Sequence, residues 1–142
     1  MKIKQLSLFL ENKPGHVRSV CRTLADAGIN IETMSLADTE QFGILRLIVK
    51  DSAKAVNVFD NNNIVVKTTD VVALAVKNEP GGLADILDIL DGANINIEYV
   101  YDFHTDMQGK TILVFRFENP DLAIEKLQAA GVAILGSEDL FG

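Results

Sequence analysis

Apolar and polar positions switch period along this chain in an order that repeats. Leu6, Leu8 and Leu10 alternate with Gln5, Ser7 and Phe9, a period of two that predicts a strand. Asn12 to Gly15 breaks it, because Pro14 fixes φ and donates no N–H while Gly15 opens the next element. Val17, Val20, Cys21 and Leu24 then fall at helical spacing, so Gly15 to Ala27 reads as an amphipathic helix, and Gly28 stands where a left-handed cap ends one. Ile29 and Ile31 begin a second strand that runs through Met34 and Leu36. Asp38 to Gly43 is a hairpin, and Ile44 to Val49 is a third strand rich in branched residues. A shorter helix, Ala53 to Phe59, a polar turn at residues 61–63 and a strand from Ile64 to Lys67 complete a βαββαβ order.

The order then recurs. Val72, Leu74 and Val76 match the first strand, and Leu83, Ile86, Leu87 and Leu90 match the helical stripe. Asn94 takes the place of Gly28, asparagine being among the few other residues that tolerate positive φ. The second hairpin, His104 to Lys110, is two residues longer; a helix from Pro120 to Ala130 and a strand from Val132 to Leu135 close the copy. Between Asn12–Glu32 and Asn78–Glu98, 9 of 21 aligned positions are identical. About one would match by chance, so the chain is a duplication. The expected boundaries are 1–68 and 69–142, and units of this size are small enough that the halves are expected to pack together.

This order gives an α+β fold of two ferredoxin-like units, each an antiparallel four-stranded sheet with its helices on one face. The opposite face also carries apolar residues: Phe9, Ile44 and Ile48 in the first copy, and Val71, Ala73, Ala75, Ile112 and Val114 in the second. A second sheet or a partner subunit is therefore expected to cover it.

Composition narrows the function classes. The net charge of −7 repels phosphate backbones and anionic lipid, so neither nucleic acid nor membrane is an expected partner. One cysteine excludes an internal disulfide and fits a reducing compartment. Glu11 interrupts the short N-terminal apolar run before it reaches signal-peptide length, and no stretch approaches a membrane span, so a cytoplasmic location is expected. Cys21, aligned with Leu87, is expected in the core. His104 with Asp102 and Asp106 reads as a polar hairpin rather than a metal site, and no metal or cofactor is expected. Tyr99, Tyr101 and Phe103 share one strand face and are expected to pack at an interface, while Glu32 and Glu98 read as solvated strand ends.

A strand, Asn-x-Pro-Gly, an amphipathic helix and then Gly/Asn-Ile-Asn-Ile, twice over, resembles the ACT family of regulatory domains, over about residues 1–67 and 69–136. The resemblance implies a non-catalytic, amino-acid-binding tandem ACT regulator, with two sheets side by side in an eight-stranded sheet and the effector at the interface between the ACT-like domains. Residue by residue, it points to Asn12, Pro14, Gly15, His16 and Val17, to Asn78, Pro80, Gly81, Gly82 and Leu83, and to Asn30, Ile31, Asn96 and Ile97. It further implies a homodimer and an enzyme of amino-acid metabolism as partner. The physics is compatible: a helix N-terminus suits a carboxylate, glycines admit close backbone approach, and asparagine amides donate and accept. The bland reading of the same loops is a tight turn with asparagine capping the helix. Two other functions compete, a structural adaptor that binds only protein and an acylphosphatase-like enzyme. The latter needs an arginine in the phosphate loop, whereas Arg18 and Arg22 lie within the helix.

Overall fold

The computed structural model describes residues 1–39 and 41–142, and all of their side chains except those of residues 39 and 104–106. The chain separates into two compact units, Lys4–Thr69 and Asp70–Gly142, the latter joined by Met1–Ile3. Two contacts tie those first residues to the second unit: Lys2 Nζ lies 2.9 Å from Asp121, and Gln128 Nε2 donates to Met1 Sδ at 3.0 Å.

In the first unit, β1 (Ile3–Glu11), α1 (His16–Asp26), β2 (Ile31–Thr39), β3 (Phe42–Val49) and α2 (Ser52–Asn61) follow one another. β3 pairs antiparallel with β1 on one side and β2 on the other. The second unit repeats the order with α3 (Gly82–Gly92), β5 (Ile97–Met107), β6 (Lys110–Phe117), α4 (Pro120–Ala129) and β7 (Ile134–Leu135). Here β6 pairs antiparallel with β5 and with β4 (Lys67–Lys77), which also pairs with β7.

β4 corrects one expectation. The last strand of copy one and the first of copy two are a single element, starting at Lys67. Ile64 cannot begin a strand because its N–H closes the end of α2, donating to Phe59 at 2.9 Å. Ile64 and Val66 instead turn onto the first core.

Each helix ends in the same way. Gly28, Asn63, Asn94 and Gly131 all have positive φ just past α1, α2, α3 and α4. The next residue reaches back to a carbonyl in the last turn, as Ile29 does to Leu24 and Ile95 to Leu90, both at 2.9 Å. This is the Schellman motif, and its apolar clasp joins the cores.

The two cores match position for position. Leu6, Leu8, Leu47, Val49, Val20, Leu24 and Phe59 are buried in the first. Val72, Leu74, Phe115, Phe117, Ile86, Leu90 and Leu127 are buried in the second. The helical stripe is narrower than its sequence pattern. The row Gly82, Ile86, Leu90 sits down on the sheet, and the adjacent row tilts outward, leaving Leu83 and Leu87 39% and 38% exposed. Cys21, in the equivalent row of α1, is half-buried rather than in the core.

The outer sheet faces differ. Val71, Ala73, Ile112 and Val114 are buried in the second unit. Part of the cover is a short helix the sequence reading did not anticipate, α5 (Ser137–Phe141), whose Phe141 ring lies 6.2 Å from that of Phe103. On the first unit Ile48 is buried, but Phe9 is 69% exposed and Phe42 49%.

Candidate ligand-binding loops

Both Pro-Gly corners take the backbone from strand to helix through a glycine in the left-handed region. Gly15 (φ 92°) and Gly81 (φ 87°) are the N-caps of α1 and α3, and neither helix has a side-chain cap hydrogen bond. The N-cap positions are therefore held by glycine rather than by the asparagines. Asn12 and Asn78 sit three positions earlier, where their backbone N–H groups tie the corner to the neighbouring hairpin: Asn12 donates to Gln41 at 3.0 Å and Asn78 to Gly109 at 3.1 Å. The first turn of a helix has N–H groups with no intrahelical acceptor, and here they open beside exposed Pro14 and Gly15, and Pro80 and Gly81.

The corners differ in what braces them. In the first, the Glu11 N–H donates to His16 Nδ1 at 3.2 Å, and Lys13 pairs with Glu11 at 3.2 Å. In the second, the Gly82 N–H donates to Glu79 at 3.0 Å, and Gly82 packs so closely on the strand that a Cβ would lie 2.0 Å from the Lys77 carbonyl oxygen. The fit of this corner to its own backbone thus requires a glycine at position 82. The α1 first turn holds no acidic residue, whereas α3 carries Asp85 there, so α1 presents the less neutralised positive end to an anion.

The remaining candidates lie elsewhere in each unit. Asn30 and Ile31 stand at the far end of β2: Ile31 pairs with Val49, while Thr39 and Glu11 pair with Phe42, about 23 Å away along β3. Asn96 and Ile97 repeat this placement against Phe117. Each asparagine lines a shallow cleft where the first helix of its unit ends and the second begins. The cleft beside Asn30 measures about 280 Å³ and includes Lys50, Asp51 and Lys54. Its counterpart beside Asn96 measures about 380 Å³ and includes Glu118, Asn119 and Leu122. The repeat marks both clefts in the sequence, but only the strand register separates them from the corners.

Other singled-out residues resolve simply. Glu98 is exposed at the start of β5 and pairs with Arg116 at 3.2 Å, and Arg116 also donates to the Asp70 carbonyl at 3.0 Å. Tyr99 and Tyr101 stack at 6.4 Å. The side chains of His104 and Asp106 lie outside the described residues, among which no metal-binding group of His, Cys, Asp and Glu occurs. No helix among the described residues is long and apolar enough to cross a membrane.

A duplicated βαββαβ unit whose first helix starts at a glycine corner defines a tandem regulatory-domain architecture rather than an isolated ferredoxin-like fold. The model of the ACT domain pair matches residues 1–141, and the chain belongs to that family. A crystal structure of a Bacteroides thetaiotaomicron protein is similar over 99% of this chain and 96% of its own, at 40% identity and a TM-score of 0.92. The ligand-free regulatory subunit of aspartate kinase from Thermus thermophilus shares the fold over 89% of this chain and 91% of its own, with 16% identity and a TM-score of 0.63. The aspartate kinase of Synechocystis does so over 95% of this chain but 26% of its own, with 21% identity and a TM-score of 0.57. No curated protein sequence matches.

Proposed function

We propose that this protein is a non-catalytic regulator that binds an amino acid at its Pro-Gly corners. The observation that carries the reading is the pair of glycine N-caps, each opening a helix that no side chain caps. A carboxylate there gains N–H donors and the positive end of the helix without displacing a side-chain cap at the glycine. Asn12, Pro14, Gly15, His16 and Val17 form the first candidate set, and Asn78, Pro80, Gly81 and Leu83 the second, with Gly82 shaping the corner behind them. Asn30, Ile31, Asn96 and Ile97 lie about 23 Å from the corner of their own unit, so they join a corner only when it comes from another ACT unit. Side-by-side pairing of sheets, a homodimer and an enzyme of amino-acid metabolism as the regulated partner belong to the same proposal, in keeping with the fold shared with an aspartate kinase regulatory subunit.

Thermal unfolding with each amino acid tests it. A ligand at 100 times its dissociation constant stabilises by about 2.7 kcal/mol, a rise on the order of 5–10 °C. No shift with any amino acid would count against binding. The adaptor reading draws on exposed Phe9 and Phe42, which lie on adjacent strands of the outer face. Replacing both with serine distinguishes the two, since it removes a protein partner but leaves amino-acid binding intact. The acylphosphatase reading has less to stand on, because Arg18 and Arg22 are exposed within α1.

A further inference from the structure

At the ends of β4 and β6, Lys77 stands directly opposite Lys110. Like charges in that position repel. Among the described residues neither ammonium has an ion-pair or hydrogen-bond partner. Strand alternation puts Lys77 on the same face as Ala75, and Lys110 on the same face as Ile112, away from α3 and α4. On that face a cleft of about 390 Å³ is lined by Ala75, Met107, Gln108, Lys110, Ala133 and Leu135. Its lining is largely apolar, with one amide and one ammonium and no carboxylate among the described residues. The two alanines lie together, the Ala75 N–H donating to the Ala133 carbonyl at 3.3 Å, and their short side chains leave the floor open.

We infer that this cleft binds a small carboxylate with a short apolar tail and no amine, of the 2-oxo acid or short-chain fatty acid kind. The carboxylate meets the Lys110 ammonium in the cleft and so offsets its repulsion with Lys77 across the strand pair, and the tail lies over Ala75, Ala133 and Leu135. An amino acid would bring a further ammonium beside Lys110, with no carboxylate among the described lining residues to meet it. In the first unit Glu11 and Phe42, not two lysines, occupy the equivalent opposed positions. The cleft lies on the face opposite the helices, so the inference does not depend on the amino-acid reading of the corners.

The test is an amide-shift titration of the full chain with 4-methylpentanoate, its 2-oxo derivative, 4-methylpentan-1-ol and leucine. Both acids are expected to produce saturable shifts at Ala75, Lys110 and Leu135, with the alcohol at least about tenfold weaker. The double variant Lys77→Gln/Lys110→Gln should weaken acid binding about tenfold or more. Ala133→Leu should abolish binding while both charges remain. Tighter binding of the 2-oxo acid, lost in Gln108→Ala, assigns the site to 2-oxo acids; equal binding assigns it to short fatty acids. The inference is overturned if neither acid perturbs the cleft, if the alcohol or leucine binds there as tightly, or if the double variant binds unchanged. Shifts from leucine at Gly15 to Val17 report on the corners alone.

Discussion

The Glu11 N–H donates to Nδ1 of His16 at 3.2 Å, which ties the last residue of β1 to the first residue of α1 across the glycine corner. The bond braces the corner through Nδ1 and leaves Nε2 outside it. His16→Ala removes the acceptor from an exposed N–H that water can satisfy, and the expected cost is at most about 1 kcal/mol of stability. If the corner holds a carboxylate, the same variant weakens that binding by more than it lowers stability. Parallel denaturation and ligand titration of the variant check both effects.

An added methyl group should cost more at Gly82 than at Gly15. Gly82→Ala drives a Cβ to 2.0 Å from the Lys77 carbonyl oxygen, so the strand or the helix start must shift. A loss of about 3 kcal/mol or more is expected. Gly15→Ala meets no atom within 4 Å, and its cost is the left-handed backbone alone, about 1–2 kcal/mol. Urea denaturation of the pair separates crowding from strain.

Asn94 holds φ at 56° just beyond α3, the position Gly28 fills beyond α1. Asn94→Gly should leave stability unchanged or raise it by up to about 1 kcal/mol. Asn94→Val should lower it by about 1–2 kcal/mol, since a branched side chain resists that conformation. Thermal unfolding midpoints rank the three.

The Asp121 carboxylate, through a hydrogen bond and its charge, holds the Lys2 ammonium above the ordinary lysine range. A raised folded-state pKa means the contribution is fully present below the unfolded lysine value and is lost as pH rises through the folded one. Both groups are well exposed, so the effect is small and salt-screened. Lys2→Gln should therefore differ slightly from the parent at pH 8 in low salt. The difference should vanish in 1 M salt, or once the pH exceeds the lysine range.

Most of the fold was legible because it depends on local chemistry. Alternating leucines on β1, the helical stripe of α1 and the positive-φ positions at Gly28 and Asn94 each point to one structure, and the duplication reads each signal twice. What was not legible depends on how elements meet. The continuity of β4 follows from Ile64 spending its N–H on α2, which no periodicity shows. The second hairpin turns at Gln108 and Gly109, both at positive φ, rather than across the broader polar stretch from His104. The burial of Gly82 against the Lys77 carbonyl is invisible in a Pro-Gly-Gly string, where the second glycine reads as freedom rather than fit. Likewise the sequence placed Asn30 and the corner in one ligand set, and only strand register puts them at opposite ends of a unit.

Amide chemical shifts of the full chain, titrated with each amino acid in turn, test the central claim most directly. The account predicts that at least one amino acid saturably shifts the amides of Gly15, His16 and Val17, and that alanine at Gly15 weakens that binding. Saturation of the whole series with no movement at residues 15–17 or 81–83 would contradict it.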